Sequence, residues 1–230
     1  MAEKRICNSS PLIKTQSPDR ITYFRNGMLY CNKLSYFRKL EEEKGDRIIG
    51  DRFEAMIPMK NAFFYYPEKE CVKKIEEGLI PTTWSDDYVF CMSGLLPVAF
   101  ENRDTIPLIF DDVNSFGNKS LIILDTKEFI RLVREAAVDR GFSVSYGFVN
   151  YYDERYDNPY MIASLVNGIQ NIAFWKRKKY QNQQEFRFVF HGDSDSEALE
   201  LPLGGTLNGI SKMVDTCELG NIIIERMNNA

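Results

Sequence analysis

The 230 residues are 44% hydrophobic and 27% charged, a globular balance that excludes a disordered or collagen-like chain. Lys and Arg total 29 against 33 Asp and Glu, a formal net charge of −4, so attraction to nucleic acid has to come from a local patch. His191 is the sole histidine, which excludes metal sites with two or more His ligands, and none of the five cysteines is spaced as C-x-x-C, which argues against a zinc ribbon or a thioredoxin-type pair and for a reducing compartment.

Residues 1–20 are polar and read as a flexible leader, followed by a single domain over 21–230. The first residues lack the apolar core of a signal peptide, and no later run approaches the ~20 apolar residues of a membrane span. The expectation is a soluble, cytoplasmic protein with no membrane partner.

Residues 21–31, ITYFRNGMLYC, read as two short strands around an Asn26-Gly27 hairpin turn, with Arg25 beside the turn. Residues 33–46, KLSYFRKLEEEKGD, have helical propensity and close at Gly45. NAFFYY is a strand candidate, KECVKKIEEG reads as a short helix stopped by Gly78, and DYVFCMSG alternates as a strand. In residues 120–141 a buried-type strand leads to Asp125 as N-cap, with Glu128 three residues on. Phe129, Leu132, Val133 and Ala136 then share one helical face, and Gly141 ends the helix. SVSYGFVNYYD returns to strand character, and PYMIASLVNGI reads as a helix opening at Pro159. QEFRFVF is an alternating strand with Gln184, Phe186, Phe188 and Phe190 on one face and Gln183, Glu185, Arg187 and Val189 on the other. The fold class is α+β, with a mixed, mostly antiparallel sheet and peripheral helices.

Three constellations have chemical potential. The row Gln183, Glu185 and Arg187 brings an amide, a carboxylate and a guanidinium to one strand face, either as a solvent-facing ion pair or as a cleft. In the cleft reading the carboxylate stabilises an oxocarbenium-like ribose as nicotinamide leaves, and the glutamine orients the nucleophile. Trp175 to Tyr180 interleave Lys176, Arg177, Lys178 and Lys179 with rings, a pattern that suits a solvated loop or a phosphate-binding acceptor surface. Asp46 and Asp51, in two Gly-Asp-Arg repeats, and the following Glu54 are candidate metal ligands, ribose-hydroxyl acceptors or partners of the neighbouring arginines.

The order of segments resembles the bacterial and phage domain-of-unknown-function 2971 family. The resemblance runs over about residues 20–190 and rests on FRNGMLYCNKLSYFRKLEEEKGDRIIGDRFEA, YVFCMSGL, SLIILDTKEFIRLV, VSYGFVNYYD and FWKRKKYQNQQEFRF. The early acidic box of that family reads here as Gly50-Asp51-Arg52-Phe53-Glu54, and the late box as Gln183-Gln184-Glu185-Phe186-Arg187. The same order is similar to that of ADP-ribosyltransferases. That resemblance implies Arg25 as the early NAD contact and Ser93 as the middle-strand hydroxyl. It also implies Gln183 and Glu185 as the catalytic pair, and Tyr36 and Phe37 as nicotinamide-pocket rings. Arg38 and Arg187 join the NAD-binding set, with Arg25 or Arg38 on the pyrophosphate, and Lys176 to Lys179 would receive a nucleic-acid or protein acceptor. Two other readings stand beside this one. The first is a metal-dependent nuclease or phosphodiesterase built on Asp46, Asp51 and Glu54, and the second is a non-catalytic nucleotide-sensing or partner-binding domain.

Overall fold

The computed structural model describes residues 3–7, 10–46, 48–81, 86–96, 99, 105–108, 113–161, 163 and 169–226. The chain divides into two compact units where one domain was expected. The first comprises Met1–Lys33, Asp87–Val149 and Asn182–Ala230, and the second Leu34–Asp86 and Asn150–Gln181.

In the first unit the leader expected over residues 1–20 contributes two strands, β1 (Glu3–Cys7) and β2 (Leu12–Gln16). Residues 18–25 form helix α1 (Pro18–Arg25), not the first arm of a hairpin. Pro18 occupies the first turn, where its missing N–H costs nothing, and Ile21 and Phe24, three residues apart, are both buried. Gly27, at φ 87°, then turns the chain into β3 (Met28–Lys33); a Cβ there would lie 1.8 Å from the Gly205 carbonyl oxygen, so no other residue fits.

An eight-stranded antiparallel sheet joins β2 and β3 to β6 (Tyr88–Gly94), β8 (Lys119–Ile123), β9 (Ser143–Phe148), β12 (Glu185–His191), β13 (Ala198–Pro202) and β14 (Ser211–Asp215). Helix α3 (Thr126–Asp139) forms as the sequence implies: the Asp125 carboxylate accepts the Glu128 N–H at 3.0 Å, and Phe129, Val133, Ala136 and Ala137 are buried. These residues, with Phe24 and Ile21 of α1, pack on Leu12, Leu121, Ile123, Phe186, Phe188 and Phe190. Alternation sends Ile13 and Ile122 to the other side of the sheet. There they pack with Ile106 of β7 (Thr105–Pro107) and Ile222 and Ile224 of β15 (Ile222–Arg226). β15 pairs in parallel with β1 and antiparallel with β7, so the sheets of this unit are mixed and mostly antiparallel.

The second unit holds helix α2 (Leu34–Lys44), a long hairpin of β4 (Met56–Tyr66) and β5 (Cys71–Pro81), and the short parallel pair β10 (Asn150–Tyr152) and β11 (Trp175–Arg177). Helix α2 ends at Gly45 in the left-handed region, as expected. The helix expected in KECVKKIEEG is instead β5, in register with β4 from Cys71↔Tyr66 to Pro81↔Met56. Most of the helix expected over 159–169 lies outside the described residues. Among the described residues no helix is long and apolar enough to cross a membrane.

Candidate functional site

In the first unit a polar row lies on the sheet face opposite the phenylalanines. β12 places Glu185 across from Ser93 and Arg187 across from Cys91 of β6, and on its other edge sets Arg187 against Gly147 and Val189 against Ser145 of β9. Glu185 and Arg187 are 5% and 1% exposed, so this is a buried row and not a solvated strand face. The Arg187 Nε–H donates to the Glu185 carboxylate, which lets two buried charges satisfy each other. Gln183 is not part of the strand. It ends a 3-10 turn over Lys178–Gln183, and Gln184, at φ 43°, breaks the alternation before the strand begins at Glu185.

β6 has a divided outer edge: β3 pairs with Tyr88 and Val89, and β2 pairs with Ser93 and Gly94. In the gap, the Lys14 ammonium donates to the Cys91 carbonyl at 2.6 Å and lies 4.7 Å from the Phe90 ring centroid. Burial pulls the Lys14 pKa down, opposed electrostatically by the neighbouring Cys91, Glu185 and Cys31 side chains. Lys14 was missed in the sequence; its only signal is a cation in the otherwise apolar start of LIKTQ, two residues from buried Leu12.

His191 closes the same strand. Its Nδ1 lies 2.9 Å from Asp87 Oδ2 and its Nε2 lies 3.0 Å from Ser145 Oγ. Asp87 and Ser145 are 104 and 46 positions from the histidine, and no local motif connects them. Arg25 ends α1 instead of lying on a strand, and its carbonyl accepts the Leu207 N–H at 2.8 Å.

The other expected site residues belong to the second unit. Tyr36 and Phe37 meet edge to face on α2 at 5.4 Å, and Arg38 Nη1 donates to the Glu54 carbonyl at 2.9 Å. Arg177 is the centre of this unit. Its Nε donates to Asp51 Oδ1 at 2.8 Å, its Nη2 donates to Glu41, and its guanidinium stacks 4.5 Å from the Phe53 ring centroid. Glu41 also accepts the Arg52 N–H at 2.7 Å and Lys179 Nζ at 3.2 Å, while Tyr180 donates to the Gly50 carbonyl at 2.6 Å. The Gly50–Glu54 box and the basic stretch Trp175–Tyr180 therefore hold each other. This corrects the expectation of a four-cation acceptor surface: Lys176 and Arg177 are buried, and only Lys178 and Lys179 are exposed. Lys178 and Lys179 border an open polar depression of about 340 Å³ lined also by Asp153, Glu154, Arg155 and Gln181.

The metal-ligand reading meets competing partners. Asp46 accepts the N–H groups of Ile48 and Ile49, and Asp51 is held by Arg177 and the Phe53 N–H. Among the described residues no group of three or more His, Cys, Asp or Glu is placed to hold a metal ion.

Two measurements check this unit. Burial alone would raise the Glu41 pKa, but the Arg52 N–H, Lys179 and Arg177 outweigh it and hold the carboxyl below its ordinary value. Because the folded pKa lies below the unfolded one, about 4.3, the stabilisation is complete above that value and is lost as pH falls through the folded pKa. The urea midpoint should therefore fall below about pH 4, and Glu41→Gln should flatten that acid limb. Tyr152, whose hydroxyl is buried with no hydrogen-bond partner among the described residues, gives the second. Tyr152→Phe is expected to leave stability unchanged or raise it by up to about 1 kcal/mol in urea unfolding, since an unsatisfied polar group is removed and no bond is lost.

No protein-family model matches the chain, no curated protein matches it, and no solved structure matches it.

Proposed function

We propose that the chain transfers ADP-ribose from NAD to an acceptor, with an ADP-ribosyltransferase-like arrangement in its first unit and Glu185 as the catalytic carboxylate. The observation that carries this reading is the register of β6 and β12, in which Ser93 and Glu185 are direct cross-strand partners. These are two residues that the motif order assigns to NAD chemistry, from positions 92 apart in the sequence. As the bond from ribose C1′ to nicotinamide breaks, positive charge develops on the ribose, and a carboxylate in a water-poor setting stabilises it far more strongly than one in bulk water. Arg187 fixes the Glu185 carboxylate in one orientation, so little reorganisation is needed as that charge forms. Nicotinamide leaves with the electron pair of the broken bond, and the acceptor nucleophile bonds to C1′ and gives its proton to solvent. The test is incubation of the purified protein with adenylate-labelled NAD and DNA, RNA or protein acceptors, following nicotinamide release and label transfer. Release and incorporation are expected. Absence of NAD cleavage together with absence of heat on titration with millimolar NAD would reject the reading.

A second reading rests on a separate observation, the Asp87–His191–Ser145 relay. An imidazole bonded on one side to a buried carboxylate and on the other to a serine hydroxyl is the arrangement that activates a nucleophile for acyl transfer. Its test is a fluorophosphonate probe: Ser145 Oγ bonds to phosphorus, fluoride leaves, and His191 takes the hydroxyl proton. Labelling mapped to Ser145 and lost in His191→Gln supports the relay, and an unlabelled Ser145 removes it.

A further inference from the structure

We propose that two copies of this chain associate through the free edge of β5, pairing antiparallel about a two-fold axis at Ile75. β5 pairs with β4 on one edge, and among the described residues no strand occupies the other. An isolated two-stranded hairpin is marginal in water, and a strand edge with unpaired N–H and C=O groups is a template for another strand. The hairpin is also unusually open: Phe63, Tyr65 and Val72, which share one face by register, are 69%, 62% and 62% exposed.

The sequence along that edge selects a second copy as the occupant. Residues 73–77 read Lys-Lys-Ile-Glu-Glu, so the charge pattern inverts about Ile75. In the two-fold register Lys74 lies opposite Glu76 of the partner subunit, and Lys73 lies opposite Glu77 of the partner subunit. Both pairs occur twice, and all lie at the close cross-strand spacing where opposite charges attract. The alternatives are disfavoured by the same residues. Parallel in-register pairing sets each Lys against Lys and each Glu against Glu, and a slip of two residues either way sets Lys74 or Glu76 against its own copy. Lysines alone would guard an edge against pairing; lysines followed by glutamates at mirrored positions make it self-complementary. Glu77 is oriented within the hairpin by Lys60 Nζ at 3.1 Å, on the neighbouring strand, and stays 77% exposed on its side chain.

The experiment is sedimentation equilibrium of the full chain from 5 to 200 µM at low and high salt, with two charge-reversed variants, Lys73→Glu/Lys74→Glu and Glu76→Lys/Glu77→Lys. The parent is expected to dimerise in the micromolar range and more weakly in high salt. Each variant alone faces like charges and should self-associate at least ten-fold more weakly, while an equimolar mixture of the two restores the dimer. The substituted side chains are exposed, and circular dichroism confirms that each variant folds. A parent that is monomeric over the whole range, or variants that dimerise as it does and gain nothing on mixing, overturns the proposal.

Discussion

Replacing Arg177 with alanine is expected to destabilise the second unit by about 3–5 kcal/mol, the range for removing one member of a buried ion cluster. The size of the effect comes from what is left behind, not from the worth of the ion pairs themselves. Asp51 is 1% exposed and Glu41 is 10% exposed on its side chain, so both carboxylates stay buried after their shared cation is gone. The Phe53 ring also loses the guanidinium stacked on it. Arg177→Lys should recover part of the loss, because a lysine supplies a point charge but cannot fork to Asp51 and Glu41 together. Urea unfolding gives the magnitude, and hydrogen exchange over 34–86 and 150–181 shows whether the weakened protection is confined to this unit. A loss under 1 kcal/mol would mean that the cluster does not hold the unit together.

Glu185→Gln is expected to reduce NAD turnover by two to three orders of magnitude, the usual range for removing one preorganised electrostatic contact to a transition state. Glutamine keeps an acceptor for Arg187 but carries no charge to set against the developing oxocarbenium. Because the substitution also leaves Arg187 beside a neutral group, stability falls with activity, and a second variant is needed to separate the two. Glu185→Leu with Arg187→Met replaces both charges by apolar groups of similar volume, a swap that buried ion pairs often tolerate without loss of stability. A folded double variant with no turnover would assign the Glu185–Arg187 pair to function and exclude loss of folding as the cause. Full turnover in folded Glu185→Gln would leave it as the structural partner of Arg187.

The parts of the fold legible in the sequence are those fixed by neighbours in the chain. Helix α3 has its cap, apolar face and terminal glycine within 17 residues, from Asp125 to Gly141, and β6 and β8 have compact apolar runs. Helix α1 was hidden because Ile21, Thr22, Tyr23 and Phe24 are good strand formers; Pro18 and the spacing of Ile21 and Phe24 decided otherwise once there was a sheet to pack on. β5 was hidden for the opposite reason, since Lys73 and Glu77 are spaced as a helical ion pair, and only the long register with β4 shows them to be strand residues, paired with Phe64 and Lys60. The candidate site was legible as a set of residue types and not as a place. Alternating Glu185 and Arg187 look like a solvated face until it is known that they neutralise each other. Similarly, Lys176 and Arg177 look like surface cations until Asp51, Glu41 and the Tyr180 ring are found around them. Asp87, Ser145 and Lys14 reach their partners through β6, β9 and β2, so their roles depend on sheet order, which no local pattern encodes.

The parallel pairing of β1 with β15 has a consequence for how the protein is made. Glu3 finds its register partner Ile222 only after about 220 residues have been synthesised, roughly 10–40 s at ordinary ribosomal speeds. Throughout that interval β1 lacks its strand partner, and the second unit, with both of its segments complete by Gln181, is free to close before the first. The nascent chain thus passes through a stage with one finished unit and one open sheet, the stage at which a chaperone that shields strand edges would matter most.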